Sequence, residues 1–128
     1  MIEQGIRTLL INDATVGGMI GVRAYADFMV QDPTLPAIVI AKISGNDRYS
    51  TGGSTGPATG RWQIDCYGST VAEARELSAA VKNVLSGYKG AAGDETIQGS
   101  FLETEQDLFD FELKTYRRTM DFIVNYKE

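Results

Sequence analysis

Histidine is absent from the 128-residue sequence. This residue is the commonest general base, the usual activator of a serine or cysteine nucleophile, and a frequent ligand of zinc. Its absence excludes the Ser-His and Cys-His nucleophile pairs and most zinc sites. No other set of residues has catalytic spacing, so we expect no catalytic residue, no cofactor and no metal. The usual catalytic parts are missing, although an enzyme is not forbidden.

Cysteine is nearly absent as well, because Cys66 is the only one. A single cysteine cannot form an internal disulfide, which fits a protein that folds in a reducing cytosol. Cys66 alternates with Trp62 and Ile64, so we expect a small buried side chain without a chemical role. Trp62 is expected in the same core, although tryptophan is also common at the centre of protein interfaces.

Long apolar runs and basic blocks are missing too. No stretch of about 18 apolar residues predicts a membrane span, and residues 1–15 lack the basic and apolar regions of a secretory signal. Lys and Arg number 12 against 17 Asp and Glu, for a net charge of −5. Sequence-independent binding of nucleic acid depends on Lys and Arg that neutralise phosphates. The charge balance therefore argues against a protein that wraps DNA.

What remains is the composition of an ordinary globular protein. Apolar residues make up 43% of the chain and charged residues 23%, unlike disordered or collagen-like chains. A chain of this length buries roughly two-thirds of the surface that it exposes when unfolded, which is enough for one core. We therefore expect residues 1–128 to form a single domain.

Two amphipathic helices are predicted. Apolar residues from Ile2 to Leu10 have helical spacing, and residues 14–19 follow as a short helical turn. Thr70 and Glu73 have the spacing of a capping box, in which each side chain satisfies a free amide at the start of a helix. The apolar stripe of this second helix runs from Val71 to Tyr88.

Strands are predicted where β-branched and apolar residues alternate or run together. Their ranges are 22–29, 37–44, 61–68, 97–108 and 114–126. Turns are expected at 32–36, 90–93 and 109–112. Short links favour antiparallel pairing, and helices can cover one face of the sheet. The predicted fold is α+β: a mostly antiparallel sheet of four to five strands, two helices packed on one face, and a long flexible loop between the middle strands.

The segment 45–60 is rich in glycine, serine and threonine and has almost nothing to bury. Burial cannot offset the entropy of ordering it, and loops of this length are usually functional or disordered. We expect a mobile glycine-rich arm (residues 45–60) that a partner orders; the alternative is a solvated loop without function. The residues expected to contact the partner are Asp47, Arg48, Tyr49, Ser50 and Thr55. Residues 52–56 resemble a phosphate-binding loop, but they lack its lysine and its following helix.

An acidic triplet, Glu103, Glu105 and Asp107, alternates along the strand predicted at 97–108. Period-two spacing predicts that the three carboxylates share one face. They would then line a pore and repel DNA phosphates, or meet a basic partner. The alternative is a solvated face that discourages aggregation between strand edges. A metal site would need a convergence that a flat strand face does not provide.

Arg118 falls among the apolar residues of the last predicted strand. Its charge must reach solvent or a partner. The partner that we expect is Asp65 of the strand at 61–68, in a buried pair between neighbouring strands.

From end to end, the sequence resembles the small tail-completion, or tail-terminator, proteins of long-tailed phages and related prophages. The most specific part is the strand-to-helix junction RWQIDCYGSTVAEARELSAAV at 61–81. The closing strand is next, with Tyr116-Arg117 followed by Met120-Asp121-Phe122-Ile123-Val124. The rest of the pattern consists of the amphipathic start at 2–10, LPAIVIAKIS at 35–44, and the pairing of GSFLETEQDLFD at 99–110 with KTYRRTMDFIVNYKE at 114–128.

The resemblance implies a structural virion protein that is not an enzyme and is made in the bacterial cytoplasm. It would form a ring of six copies on the head-proximal end of the finished tail tube. Such a ring stops tube polymerisation and presents a surface for joining the neck of the filled head. The implied partners are further copies of the chain, the tail tube protein and a head-neck connector. DNA would pass through the pore without specific binding, and no membrane is implied. The loop between the middle strands, here the glycine-rich arm, tends to mediate ring or tube contacts in these folds.

Two other functions stay open at this point. A neck or head-completion protein would bind on the portal side and not on the tube. A small soluble ligand-binding α+β domain would need a concave apolar pocket with a few polar groups, and no convergent cluster for such a pocket is visible. A ring subunit should form closed oligomers, which a ligand-binding domain does not need.

Overall fold

The computed structural model describes residues 2–27, 29, 34–47, 58–93, 95–110 and 115–127, without the side chains of residues 44–47 and 110. These residues form an α+β fold. Its elements are α1 (Ile2–Asn12), α2 (Ala14–Ile20), β1 (Ala24–Ala26), β2 (Ala37–Asp47), β3 (Ala58–Gly68), α3 (Val71–Leu85), β4 (Gly90–Ala92), β5 (Glu95–Asp110) and β6 (Thr115–Lys127). The order of the strands across the sheet is β1-β2-β3-β6-β5-β4.

A capping residue separates the first two helices. The carboxylate of Asp13 accepts hydrogen bonds from the backbone N–H groups of Thr15 and Val16, at 3.1 and 3.0 Å. Such a cap satisfies amides that a helix start leaves free. The cap extends the short helical turn that the sequence predicts into α2, so the described part of the fold has three helices where two were expected.

The capping box of α3 forms with one change. The hydroxyl of Thr70 accepts a hydrogen bond from the N–H of Glu73 at 3.1 Å, as predicted. The Glu73 carboxylate, however, reaches back to the N–H of Ser69 at 2.9 Å and not to that of Thr70. The helix start is therefore capped from both sides, with the return contact displaced by one residue.

The central strands β2, β3, β6 and β5 pair antiparallel, as predicted. β1 pairs with β2 in parallel, because the link between them is long enough to bring the chain back to the same end of the sheet. β4 occupies the position where a flexible turn was expected, and its backbone pairs with Glu95–Ile97. The described sheet is therefore mixed and has six strands, which corrects the expected four to five.

Two β-bulges lie near one level on opposite sides of the sheet. One is in β2 between Lys42 and Ser44, and the other is in β5 at Glu103. Both adjoin the row in which Trp62 of β3 pairs with Phe122 of β6. A bulge bends its strand and increases the local twist, so the sheet curves at this level.

The hydrophobic core lies between the helices and one face of the sheet. From β3, the predicted alternation holds: Trp62, Ile64 and Cys66 point into the core. The largest fully buried side chains are Trp62, Phe122, Ile6, Leu10, Ile20, Ile38, Ile40, Ile64, Leu77, Leu85, Ile97 and Met120. The opposite face, called the open face below, carries most of the polar side chains of β3 and β6.

Candidate interaction surfaces

The acidic triplet is divided between the two faces of the sheet. Glu103 is the extra residue of the bulge in β5, and both of its carboxylate oxygens lie 2.8 Å from Nη2 of Arg61 on the open face. Glu105 and Asp107 point to the helix face, where they contact basic side chains of α3. The prediction of one shared face is therefore wrong, because the bulge breaks the period-two alternation.

The two carboxylates on the helix face are paired with cations of the same chain. Asp107 accepts hydrogen bonds from Nη2 of Arg75 at 3.1 Å and from Nε of Arg118 at 2.9 Å. Glu105 lies 3.1 Å from Nζ of Lys82 and 3.9 Å from Nη1 of Arg118. The paired cations weaken any repulsion of DNA phosphates. They weaken attraction to a basic partner in the same way, so the role of the triplet, in a pore, with a basic partner or as a solvated face, stays a prediction.

Arg118 does not pair with Asp65 as predicted. Asp65 lies opposite Thr119 in the register of β3 and β6, so its side chain is on the open face while that of Arg118 is on the helix face. Asp65 accepts hydrogen bonds from Nη1 of Arg117 at 3.5 Å and from Nε2 of Gln63 at 3.1 Å. The predicted pair is wrong by one residue, because consecutive residues of a strand point to opposite faces.

A network of charged side chains covers part of the open face. Arg61 joins Glu103 to Asp121, whose Oδ2 lies 3.5 Å from Nη1 of the arginine. The hydrogen bond that Arg61 donates to Glu103 raises the pKa of the guanidinium. Burial raises the pKa of Asp65 above its ordinary value, and Arg117 opposes that rise without cancelling it. The open face therefore holds a buried carboxylate that binds its proton more tightly than a solvent-exposed aspartate does.

The two ends of the glycine-rich arm are strand and not loop. Residues 45–47 extend β2 and pair with residues 58–60 of β3. The expected loop across 45–60 is therefore corrected to a shorter segment, because backbone pairing needs no large side chains. Asp47 is the last residue of β2. The other expected contact residues lie outside the described residues, and their role stays a prediction: Arg48, Tyr49, Ser50 and Thr55.

Trp62 and Cys66 belong to the core, as predicted. Neither has exposed surface. The Trp62 indole N–H donates to Oε1 of Glu3 at 3.3 Å, and its ring meets that of Tyr126 edge-on with centroids 5.6 Å apart. Burial raises the pKa of the Cys66 thiol, which keeps the thiol protonated and unreactive. Both residues therefore stabilise the fold and offer no surface to a partner.

An apolar cup lies at one end of the sheet, and the sequence analysis missed it. Phe109 and Tyr116 are cross-strand partners with ring centroids 5.0 Å apart. Val71 of α3 lies beside them at an open cavity of about 250 Å³. Tyr116 is 37% exposed because it lies at the N-terminal end of α3, where cover is incomplete. The signal in the sequence was the symmetry of Phe109 and Tyr116 about the hairpin tip.

The described residues hold no group of three or more cysteine or acidic side chains arranged to bind a metal ion. In the same part of the chain, no helix combines the length and the apolar character needed to cross a membrane.

The family described as tail completion protein gp17 matches residues 4–127. The chain belongs to this family. Tail completion proteins are structural components of phage virions, so the predicted family and the prediction that the chain is not an enzyme are both confirmed. This tail completion protein is thus a structural protein of the phage tail or neck.

The fold of this tail completion protein also occurs in a solved virion structure. A chain from the virion of a native gene transfer agent particle is similar to it with a TM-score of 0.70. The two are 16% identical, and the likeness covers 96% of this chain and 92% of that chain. At this identity the likeness shows the fold alone. No curated protein matches the sequence.

Proposed function

We propose that this tail completion protein assembles into a ring of six copies at the head-proximal end of the tail tube. There it ends polymerisation of the tube and presents the surface to which the neck of the filled head binds. Family membership supports a place in the tail. The fold that it shares with a chain of a virion particle supports assembly with other virion proteins.

The observation that supports the proposed ring is the difference between the two edges of the sheet. On one side β1 covers only Ile38–Ile40 of β2, and on the other β4 covers only Glu95–Ile97 of β5. Among the described residues, no strand pairs with the outer edge of the remainder of β2 or β5. Two different open edges on one subunit suit head-to-tail contact, and such contacts form a ring when the rotation closes.

The central part of the glycine-rich arm is the element that we assign to the tail tube. Residues 48–57 join two paired strands and are rich in glycine, serine and threonine. The pairing of 45–47 with 58–60 fixes where this segment leaves the sheet. A segment with little to bury on its own gains order when a partner surface covers it. Contact with the tube would supply that surface.

The charge distribution supports a pore through which DNA passes without being held. The chain carries a net charge of −5, and phosphate binding requires available Lys and Arg. Several described cations are instead paired with carboxylates of the same chain: Arg61, Arg75, Lys82, Arg117 and Arg118. These pairs reduce the positive charge that a ring of such subunits would present to the DNA.

Electron microscopy of particles made without this gene tests the proposal. We expect overlong tail tubes without heads, and restoration of normal particles when the wild-type gene is supplied from a plasmid. Tails of normal length beside filled, unjoined heads would instead place the protein at the neck. Normal infectious particles would contradict both functions.

A further inference from the structure

One row of residues crosses the sheet from edge to edge. In the register of the strands, Ala24 of β1 lies opposite Ile38, Ile38 opposite Cys66, Cys66 opposite Arg118, and Arg118 opposite Asp107 of β5. β1 and the outer edge of β5 at Asp107 are therefore at the same level of the sheet. With four steps between strands, they are roughly 19 Å apart on opposite sides.

The covered and open parts of the two edges alternate along the strands. β1 covers β2 at one end of the sheet and leaves residues 41–47 open at the other end. On the far side, β4 pairs with β5 up to Ile97, and the N–H of Gly87 binds the carbonyl of Ser100, which leaves residues 101–110 open. Each edge is thus covered by a short strand at one end and uncovered at the other, and the uncovered parts of the two edges lie at opposite ends of the sheet. When a second copy is placed beside the first, β1 of that copy lies against the uncovered part of β5.

Strand direction also agrees with this placement. β1 is parallel to β2, and the pairs from β2 through β3 and β6 to β5 are all antiparallel. β1 and β5 therefore run in opposite directions. A copy rotated about an axis along the strands brings its β1 next to β5 in the antiparallel sense, so the alternation of strand direction continues from one copy to the next.

At this level one edge carries Arg7, and the other carries Glu105 and Asp107, which already contact three cations of their own chain. Arg7 lies along the outer edge of β1, where its Nε and Nη2 donate to the carbonyls of Ala24 and Val22 at 2.9 and 3.0 Å. Within the described part of the chain, Arg7 has no carboxylate partner. At the same level on the other edge, the side chains of Glu105 and Asp107 are 31% and 42% exposed. A carboxylate can accept several hydrogen bonds, so their pairing within the chain leaves capacity for another cation.

We propose that the β1 edge of one copy lies against the outer edge of β5 in the next copy, with Arg7 beside Glu105 and Asp107. This contact rests on the proposed ring and names the surfaces that build it. Because Arg7 already occupies the outward carbonyl of Ala24, side chains carry the contact and no continuous ladder of backbone hydrogen bonds forms. A second copy offers a complementary edge to each of the two sheet edges at the same level of the strands. An unrelated partner would complement only one of these edges.

Cross-linking between engineered cysteines tests the contact, because Cys66 is fully buried and gives no background in the folded protein. Chains carrying Arg7→Cys are mixed with chains carrying Asp107→Cys and treated with a short bismaleimide, which spans the gap left by the arginine side chain. We expect a covalently linked dimer in the mixture and none with either variant alone. A chain that carries both substitutions should give a ladder of linked species that ends at the size of the ring.

The control is Ile43→Cys mixed with Asp107→Cys. Ile43 lies on the same edge as Arg7 and is 52% exposed, but the sheet register places it about five residues, roughly 17 Å, from the level of Asp107. The short linker does not span this distance, so this pair should not link. Thermal melts of the variants check that each of them folds.

Native mass spectrometry and electron microscopy of the wild-type chain separate the two hypotheses. Closed rings that do not link through positions 7 and 107, or that link through 43 and 107, overturn the proposed contact and leave the ring intact. Failure of the wild type to form closed oligomers, alone or on tail tubes, overturns the proposed function and the contact with it.

Discussion

Glu103 and Glu105 are two residues apart on β5, yet their carboxylates lie on opposite faces of the sheet. Glu103 binds Arg61 on the open face, and Glu105 binds Lys82 of α3 on the helix face. Glu103 is itself the extra residue of the bulge in β5, which reverses the alternation at this point. Through these two contacts, β5 is linked to α3 on one face of the sheet and to the charged network of β3 and β6 on the other face.

The buried carboxylate of Asp65 should make stability depend on pH. Its pKa in the folded protein is raised above the ordinary 3.8 by burial, so the folded protein holds this proton more tightly than the unfolded chain does. The stability contributed by the group is therefore highest below 3.8 and falls as the pH rises through the folded pKa. Asp65→Asn mimics the protonated form.

As the pH rises from 3 towards neutrality, the wild type loses this contribution and Asp65→Asn does not. We therefore expect the free energy of unfolding of Asp65→Asn to increase relative to that of the wild type. Urea titrations of both proteins at a series of pH values measure this difference. Circular dichroism of both at each pH checks that the folded states match. A difference that stays constant with pH would contradict the raised pKa.

Two phenylalanines on neighbouring strands provide a matched test of the core. Phe122 has no exposed surface, whereas Phe101 is 53% exposed on the open face. Phe122→Ala should lower the free energy of unfolding by about 3–5 kcal/mol, because it leaves a cavity. Phe101→Ala should change it by about 0.5 kcal/mol or less. Denaturant unfolding of both variants decides this, and equal losses would show that a further contact covers Phe101.

The cap of α3 should contribute measurably to stability. The Thr70 hydroxyl accepts a hydrogen bond from the N–H of Glu73. Removal of an N-cap oxygen lowers the free energy of unfolding by about 1 kcal/mol. We expect this loss in the free energy of unfolding for Thr70→Ala. Thr70→Ser keeps the oxygen and should behave like the wild type. If both variants lose the same amount, packing of the threonine methyl group and not the cap is responsible.

The arm can be shortened without disturbing the strands that it joins. Asp47 and Ala58 form the last described pair of β2 and β3, so replacement of residues 48–57 by Asn-Gly gives a two-residue hairpin turn. We expect an unchanged melting temperature and loss of tube capping, measured as the length of tails in a complementation assay. A collapse of the melting temperature would show that the segment stabilises the fold. Tails of normal length would show that it does not contact the tube.

The sequence predicts best where an interaction is local. The spacing of Thr70 and Glu73 predicts the start of α3, and the alternation of Trp62, Ile64 and Cys66 predicts the buried face of β3. The partner of Asp65 could not be predicted in this way. It depends on the register between β3 and β6, and a shift of one residue exchanges Arg118 for Arg117.

The sequence by itself determined the absence of histidine chemistry, the family, the amphipathic helices and the long central strands. These follow from residue types and from periodicities within one segment. Only the tertiary structure decided the parallel pairing of β1, the bulge at Glu103, and the level at which Arg7 and Asp107 lie on opposite edges. The physical reason is that these features arise from hydrogen bonds between segments far apart in the chain, whose register no single segment specifies.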